Sequence, residues 1–532
     1  MNKVNFLLGS NKSQTLALAV IILYLTINLI LQLFLSLDIS TAPDATGQNL
    51  FIYQIAKNGF LQVDNNVELN LKYKQVFAPR GTVVNDKGEI VPLKAPFSSF
   101  VYGIPYTFLI QSIDVTRYLI IFNMLTIFAF ILYCYKFVLS LGYKHKGINT
   151  IIITLLIVIG NLASIITLFN LLFFVGFYYL KIWIDSNKKN FDINVLLSSL
   201  MFSGVTLLRN ELVILFIPIG IFFLFLIFVK KFQINILLFF LIPIISTLTI
   251  LESNKLFYGG YFNFGYSLDS KSREAFTSGT SGGGLTDSIS KIGKLFLLYG
   301  FHPLVTLQNV YYYVINLFYF LLVPVMLDSR DFKKNFAFSI FTVSMICYIL
   351  IFYGSNGTFF GNGTPTFDSS YVRYFSPIYL LLLVYAVPFY IKTAKVLLES
   401  KLYKLSMVII FVLLIINTYS TSYSNYDSLS GYQNLLDTIK QQIPPNSVIF
   451  TNYWDKLLYK DYQVATFSKQ LNTMDDYYNT MTKFLIENPR EKVYYIPSSP
   501  SEKIQFDQYL KNNKKVKCNN LNLLQACELT LT

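Results

Sequence analysis

The sequence predicts a polytopic α-helical membrane protein that ends in a small α/β domain. Of its 532 residues, 54% are hydrophobic and only 14% are charged, whereas about 25% of the residues in a soluble domain are charged. Apolar stretches of about 20 residues, the length that crosses a bilayer, recur along most of the chain. From about residue 422 onward, β-prone runs instead alternate with amphipathic helical patterns.

The apolar stretches define the predicted spans. The first, residues 15–37, is too long for a signal-peptide core, so we interpret it as a retained span. The further stretches cover residues 95–113, 118–142, 148–184, 193–229, 233–251, 300–327, 335–353, 373–391 and 405–421. Two of them, 148–184 and 193–229, are long enough for two short spans each, which gives about 11 to 13 spans in total.

Basic loops set the predicted orientation. Much of the positive charge lies in five loops between apolar stretches, YKHKG, NKKN, VKK, SRDFKKN and KTAKVLLESKLYK. Cytoplasmic loops are enriched in Lys and Arg, so we place these five inside the cell. This topology also accounts for the formal net charge of +14, and we expect no nucleic-acid partner.

The predicted topology divides the chain into two domains. Residues 1–421 are predicted to form a transmembrane domain, and residues 422–532 a soluble extracytoplasmic α/β domain. The predicted outer loops are 38–94, 252–299 and 354–372. In the first of these loops, VVNDKGEIVP predicts a β-hairpin around an Asn-Asp-Lys-Gly turn.

Residues 95–113 conflict with a simple alternation of inside and outside loops. This stretch contains Pro96, Gly103 and Pro105, and proline inside a helix removes a backbone hydrogen bond and kinks or breaks it. We therefore expect either a re-entrant or broken segment here, or one miscounted span elsewhere.

The four cysteines exclude a disulfide-rich scaffold and offer no metal-ligand spacing. Cys518 and Cys527 flank a predicted hairpin and would be able to bridge in an oxidising compartment. The sequence also lacks an HExxH motif and a phosphate-binding P-loop lysine. We assign no metal site and no cofactor from these patterns.

Two arginines are candidates for binding an anion. Arg209 interrupts the apolar run LLRNELVILFIP, where it is either solvated at a hairpin tip or grips an anionic group. Arg373 lies in SSYVRYFSP at the mouth of a span, where it is either an interfacial anchor beside Tyr374 or a bidentate phosphate contact. Both alternatives stay open for each arginine.

Aromatic residues and one histidine are further candidates. The segment NKLFYGGYFNFGY, which ends at Tyr266, combines glycines with aromatic rings that either stack on a sugar or form an interfacial girdle. His302, in YGFHP, is one of only two histidines in the chain. A lone histidine is more often packed or solvated than catalytic.

The order of these features resembles the GT-C class of membrane glycosyltransferases over most of the chain. The resemblance is carried by PDATGQNLFIYQIAKNGF after the first span, then KAPFSSFVYGIPY, DVTRYLIIFN and LLRNELVILFIP, and finally by the α/β tail. That class includes protein O-mannosyltransferases and the aminoarabinose transferases that act on lipid A. Its members use a sugar carried on a polyprenyl phosphate.

The resemblance implies roles for particular residues. Asp44 corresponds to the acid of the first outer loop, which serves as catalytic base or lies beside the acceptor, with Asp38 and Asp64 as nearby rivals. The leaving phosphate would be bound by Arg209 and Arg373.

Weaker substrate-binding candidates are Arg80, Arg117, Tyr266, His302 and Tyr374. The chain departs from the family pattern at Ala45, where many members have a second acid. It departs again at Lys94, Ala95 and Pro96, where His-Pro-Pro is common.

The implied function is transfer of a sugar from a polyprenyl-phosphate carrier to a protein, lipid or glycan acceptor outside the cytoplasm. The protein would be a multi-pass protein of the cell membrane in contact with membrane lipids. A divalent cation is left open, although Ala45 weakens a metal-bridged mechanism. Two alternatives stay open as well: a non-enzymatic polysaccharide-lipid flippase or transporter, and a surface-polymer polymerase or ligase.

Overall fold

The computed structural model describes residues 11–39, 43–59, 73, 76–78, 81–142, 152–154, 156–157, 162, 166–186, 191–209, 215–230, 234–261, 263, 302–327, 336–355, 372–398, 403–467, 473–521 and 525–532. The chain divides into two units. The helical unit comprises Met1–Phe34, Ile120–Leu248 and Gly282–Ser422, and the mixed unit comprises Leu35–Leu119, Thr249–Ser281 and Tyr423–Thr532.

Sixteen α-helices and seven strands make up the described part of the chain. The helices are α1 Asn11–Phe34, α2 Pro43–Asn58, α3 Pro96–Tyr106, α4 Val115–Ser140, α5 Leu168–Ser186, α6 Ile193–Leu208, α7 Phe216–Lys230, α8 Ile234–Tyr258, α9 Pro303–Val310, α10 Leu317–Leu327, α11 Phe336–Gly354, α12 Val372–Leu398, α13 Tyr403–Gln442, α14 Asp455–Leu458, α15 Met474–Glu487 and α16 Pro500–Asn512. The strands are β1 Thr82–Val84, β2 Ile90–Pro92, β3 Val448–Thr451, β4 Gln463–Ala465, β5 Val493–Ile496, β6 Val516–Asn520 and β7 Cys527–Leu531.

The helices confirm a polytopic membrane protein. Within the described residues, five helices are long and apolar enough to cross a bilayer: Val115–Ser140, Leu168–Ser186, Asn235–Tyr258, Pro303–Leu327 and Val372–Thr393. Four shorter apolar helices accompany them, at Ile22–Phe34, Ile193–Leu208, Phe216–Ile227 and Phe338–Gly354. The total of about 11 to 13 spans stays a prediction, because several connecting stretches lie outside the described residues.

Aromatic side chains fill the interior of the helical unit. The ring of Phe177 stacks on that of Phe341 with centroids 5.1 Å apart, and Phe173 meets Phe202 edge to face at 5.8 Å. A Cβ atom added at Gly176 would lie only 3.3 Å from the ring of Phe202, so glycine lets α5 and α6 approach closely. Small residues serve this purpose in membrane helices, where van der Waals packing rather than water drives association.

Helix α12 lies at the centre of the helical unit and bonds to the irregular backbone between α9 and α10. Tyr311–Asn316, between α9 and α10, form a π-helix, and the backbone kinks at Phe318. The hydroxyl of Tyr379 on α12 donates to the Tyr313 carbonyl at 2.8 Å, and its ring stacks on Phe318. A buried backbone carbonyl in an irregular turn needs such a partner.

The mixed unit contains the predicted hairpin. Strands β1 and β2 pair antiparallel with Val83 opposite Val91, which confirms the interpretation of VVNDKGEIVP. Asn85 closes the turn, since its side-chain oxygen accepts from Lys87 N and Glu89 N. The Asn85 amide also donates to the Phe257 carbonyl at 3.1 Å, which joins the hairpin to the end of α8.

Residues 95–113 form one short helix followed by turns. Helix α3 has 11 residues and ends at Tyr106, so it is about 16 Å long, whereas the hydrocarbon core is about 30 Å thick. The segment therefore does not cross a bilayer, which removes the conflict in the predicted topology. Helix α3 packs on α2, where a Cβ atom at Gly103 would lie 2.8 Å from Ile55 Cβ.

The tail of the chain forms the predicted α/β domain. Its five strands are ordered β4-β3-β5-β7-β6, with β3 parallel to both β4 and β5, and β7 antiparallel to β5 and β6. Aromatic side chains of α15 and α16 cover the sheet, and the Tyr495 and Phe506 rings lie 4.1 Å apart. Cys518 and Cys527 form a disulfide between β6 and β7.

The predicted domain boundary at residues 421–422 falls within α13 (Tyr403–Gln442). The mixed unit combines this tail with residues from the predicted outer loops 38–94 and 252–299. The two-domain division itself stays a prediction.

Candidate functional site

Arg209 is held between two aromatic rings in the helical unit. Its guanidinium carbon lies 4.9 Å from the ring centroid of Phe169 and 5.0 Å from that of Tyr374. These residues come from the end of α6, the start of α5 and the start of α12. A cation between two rings is attracted by the negative face of each ring.

The local sequence explains why Arg209 occupies this position. The last backbone bond of α6 runs from Arg209 N to the Val205 carbonyl at 2.9 Å, after which the backbone of Arg209 is extended. Both rings lie within cation–π distance of the guanidinium, whose N–H donors lie in the plane of the group. The arrangement therefore orients a planar donor set that matches a phosphate or carboxylate.

Arg373 and His302 lie at the same end of the helical unit. The Arg373 side chain is exposed, and its carbonyl is 2.7 Å from Ser376 Oγ, which is also 3.0 Å from the buried Asn170 side chain. His302 precedes Pro303 at the start of α9 and is exposed, and its backbone N–H donates to Ser355 Oγ at 3.4 Å.

A ring contact joins the end of α11, where Ser355 binds His302, to the start of α12, which carries Arg373. The ring centroids of Tyr353 and Tyr374 are 5.0 Å apart, and Tyr353 lies two residues before Ser355. The structure therefore brings four of the eight sequence candidates, Arg209, Arg373, Tyr374 and His302, to one end of the helical unit. We call this group, together with Phe169, the arginine cluster. No local pattern marks Phe169 among 49 phenylalanines, so its role follows only from the fold.

Asp44 lies in the first turn of α2. Its side chain, together with Arg80, Tyr266 and Asp64, lies outside the described residues. The backbone of α2 is fixed nearby, because a Cβ atom at Gly47 would lie 2.7 Å from the Gly81 carbonyl oxygen. The catalytic assignment of Asp44 stays a prediction.

A cleft of about 1000 Å³ lies in the mixed unit. Three segments form it: one face of α2, the residues that follow α3, and the part of the tail around β4. Its lining includes Asn49, Tyr53, Gln54, Lys57, Gln111, Asp114, Arg117, Asn446, Tyr459, Lys460 and Gln463. Of the sequence candidates among the described residues, the rival acid Asp38 and the weaker candidate Arg117 line it.

Ion pairs connect the segments that form the cleft. Lys460 Nζ lies 2.6 Å from Asp38 Oδ2, and Thr116 donates to Asp38 Oδ1 at 2.8 Å. Arg117 pairs with Asp114 at 3.3 Å. The rival acid Asp38 and the candidate Arg117 thus have structural partners. Exposed pairs of this kind contribute about 0–1 kcal/mol each, so they orient side chains more than they stabilise the fold.

The environment of Tyr106 in this region changes the pKa of its hydroxyl. Its hydroxyl donates to the Ile113 carbonyl at 2.9 Å. Burial, with the negative charges of Asp114 and Asp38, raises the pKa of Tyr106 to about 12. Both effects disfavour the phenolate. Tyr106 therefore stays a neutral donor at physiological pH.

No metal centre is evident in the described ranges, where no group of three or more His, Cys, Asp or Glu side chains is placed to hold an ion. The side chain of Asp44 is outside that set.

No protein-family model matches the sequence, and no curated protein matches it. The fold is similar to that of the archaeal oligosaccharyltransferase AglB from Archaeoglobus fulgidus, solved with an inhibitory peptide and a dolichol-phosphate. The TM-score is 0.50 at 10% identity, over 94% of this chain and 71% of that chain.

Two further structures of the A. fulgidus oligosaccharyltransferase are also similar. The apo form has a TM-score of 0.47 over 90% of this chain and 69% of that chain, and the complex with Zn and sulfate has 0.45 over 89% and 67%, each at 10% identity. At this identity the likeness extends to the fold. The chain therefore has a GT-C-like polytopic membrane fold with a carboxyl-terminal domain.

Proposed function

We propose that the protein is a membrane glycosyltransferase that moves a sugar from a polyprenyl-phosphate carrier to an extracytoplasmic acceptor. The observation that carries the proposal is the arginine cluster, in which the rings of Phe169 and Tyr374 lie about 5 Å from the Arg209 guanidinium and Arg373 directly precedes Tyr374 in the chain. The fold supports it, since it is similar to that of an oligosaccharyltransferase that was solved with dolichol-phosphate. Within the GT-C class, we infer a donor with one sugar, as used by O-mannosyl- and aminoarabinose transferases.

The arginine cluster fits the leaving group of this reaction. When the bond between the anomeric carbon and the phosphate oxygen breaks, the electron pair stays on the phosphate and its negative charge grows. A fixed guanidinium stabilises that charge in a site with little water. Arg209 suits the task because its planar donors match phosphate oxygens two at a time. Arg373 adds a second positive charge at the same end of the helices.

Asp44 is proposed as the general base. The acceptor hydroxyl attacks the anomeric carbon, a new glycosidic bond forms, and the hydroxyl proton moves to the carboxylate. Direct attack opposite the leaving phosphate inverts the anomeric centre. Asp38, the rival acid, is already paired with Lys460 and Thr116, which favours Asp44.

An extracytoplasmic site is part of the proposal. The five basic loops favour the cytoplasm, which leaves the predicted outer loops and the tail on the other side. The disulfide between Cys518 and Cys527 supports this orientation, because structural disulfides persist in oxidising compartments.

Transfer assays with purified protein in membranes test the proposal. We expect transfer from a polyprenyl-phosphate monosaccharide, and we expect Asp44→Asn to reduce kcat by about 100-fold or more. Asp38→Asn is the matched control and should retain most of the activity. Full activity of Asp44→Asn in folded protein would exclude it as the base. Flipping of a lipid-linked glycan without transfer would favour the flippase alternative, and transfer only from a lipid-linked oligosaccharide would favour a polymerase or ligase.

A further inference from the structure

We propose that the cleft of the mixed unit binds a neutral saccharide chain, and that this chain is the acceptor. The first part of the inference stands on the cleft alone, and the second rests on the proposed function.

One face of α2 lines the cleft. Asn49, Tyr53 and Lys57 line it and recur every four residues, so they share one face of the helix. With about 1000 Å³, the cleft is at the upper end of ordinary ligand pockets, about 300–1,000 Å³. It therefore has room for several sugar units.

The charges of the cleft balance one another. Among its described lining residues, the acids are Asp38, Asp114 and Asp461, and the bases are Lys57, Arg117 and Lys460. Each acid has an ionic partner, since Asp461 pairs with Lys440 at 2.8 Å and the other two are paired within the cleft. A phosphorylated or polycationic ligand would require an excess of the opposite charge. The balance favours a ligand without net charge.

The polar and aromatic groups match a sugar. Tyr53 is 41% exposed, with Lys57 Nζ 5.8 Å from its ring centroid, and a tyrosine ring offers a flat surface for the C–H face of a pyranose. Gln111 and Asn446 line the cleft and are exposed. A side-chain amide has both donors and an acceptor, and neighbouring sugar hydroxyls likewise donate and accept. Neutral polyhydroxylated chains are thus the ligand class that these groups recognise best.

A backbone contact within the chain lies just beyond the edge strand at the cleft, which disfavours an added peptide strand there. Strand β4 is the edge strand of the tail sheet, and its Gln463 and Val464 line the cleft. Extended peptides commonly bind by adding a strand to such an edge. Here Thr466, just after β4, donates its backbone N–H to the Val76 carbonyl at 2.8 Å. The chain itself thus occupies this position beside the edge strand.

Binding measurements without donor test the saccharide site directly. The probes are neutral gluco-, manno- and galacto-oligosaccharides of four to eight units, titrated into the full-length protein in detergent by calorimetry. We expect at least one series to bind, with little dependence on salt. Tyr53→Ala should weaken that binding by about three- to tenfold. Tyr453→Ala is the matched control, since Tyr453 is 38% exposed but lies outside the cleft lining.

A second variant distinguishes the loss of a ligand contact from a folding defect. Asn446 has a φ of 62°, which glycine adopts without strain, so Asn446→Gly removes the amide and suits the backbone. It should also weaken binding. The saccharide site is overturned if no probe binds, if both cleft variants bind as the wild type does, or if a peptide competes for the cleft better than every saccharide.

Asp44→Asn separates this inference from the proposed function. We expect it to bind the saccharide normally while it fails to transfer to it. Saccharide binding in a protein that shows no transfer activity at all would leave the site standing and refute the enzyme. Transfer to a protein or lipid acceptor, unaffected by Tyr53→Ala and Asn446→Gly, would refute the cleft as the acceptor site.

Discussion

The guanidinium carbon of Arg209 lies 5.0 Å from the ring centroid of Tyr374, although the two residues belong to helices far apart in the sequence. At this distance the ring attracts the guanidinium and limits where it can lie. Because a lysine lacks both the planar fork and the stacking face, we expect Arg209→Lys to be nearly as inactive as Arg209→Ala. A loss of about 10- to 100-fold in kcat/KM for the lipid-linked donor corresponds to the removal of one charge-assisted contact.

The ring partner provides the control for this prediction. Tyr374→Phe keeps the aromatic face and should retain most of the activity, whereas Tyr374→Ala should lose about three- to tenfold. Donor titrations with each purified variant measure both values. Equal activity of Arg209→Lys and the wild type would show that charge alone matters and that the stacked geometry does not.

Alanine substitutions at two glycines of the mixed unit should change stability in opposite directions, because only one of them lies in the close contact between α2 and α3. Gly103→Ala places a methyl group 2.8 Å from Ile55 Cβ, and such overpacking costs about 1–3 kcal/mol. Gly431, inside α13, has open space around its Cβ position, so Gly431→Ala should gain up to about 1 kcal/mol from helix propensity. Apparent melting temperatures in detergent should therefore fall for the first variant and rise for the second. A rise for Gly103→Ala would mean that α3 is free to move away from α2.

The titration of Tyr106 predicts a specific alkaline sensitivity. Its pKa is raised to about 12 from the ordinary value of 10.0, so the folded protein holds the proton more tightly than the unfolded chain. This contribution to stability is fully present below pH 10 and disappears as the pH rises from about 10 to 12. The variant Tyr106→Phe lacks the bond to Ile113 and should be about 0.5–1.5 kcal/mol less stable at pH 8.

That deficit should shrink above pH 10, because only the wild type loses the stabilisation by ionisation of Tyr106. Urea unfolding of both proteins between pH 8 and 12 measures the difference. A deficit that stays constant or grows across this range would contradict the assigned environment of Tyr106.

The disulfide between Cys518 and Cys527 gives a test of orientation. After reduction, a membrane-impermeant maleimide should label Cys518 in intact cells, because this side chain is partly exposed whereas Cys527 is buried. The variant Cys518→Ser should remove most of the signal. Cys134 is buried within α4 and should not react. Labelling only after lysis would place the tail in the cytoplasm.

Local patterns were sufficient for several elements of the fold. The apolar stretches predicted the membrane helices, VVNDKGEIVP predicted the hairpin of β1 and β2, and the alternation in the tail predicted its α/β sheet. These features depend on composition and on hydrophobic periods of two or about four residues. Both can be recognised within a short stretch of sequence. The proline and glycine content of 95–113 left both a broken segment and a miscounted span open, and the structure has only the 11-residue helix α3 and turns there.

The candidate site was predicted only in part. Arg209 and Arg373 stand out in the sequence because a charge beside an apolar run is costly. Phe169, Lys460 and Tyr53 do not stand out, since their types are common in this chain and each acquires its meaning from a partner on a distant element. The convergence of Asp44 with the two arginines on one cavity stays a prediction.

The sequence by itself determined that the chain is a membrane protein, where most of its helices lie, and which few charged residues lie in or beside apolar runs. Hydrophobicity and backbone propensity act locally, so they can be recognised without the tertiary structure. Only the tertiary structure decided that Arg209 lies about 5 Å from the rings of Phe169 and Tyr374, and that a cleft of about 1000 Å³ forms between α2, the residues after α3 and the tail. The physical reason is that stacking, ion pairing and cavity shape depend on distances between residues remote in the chain, which folding alone sets.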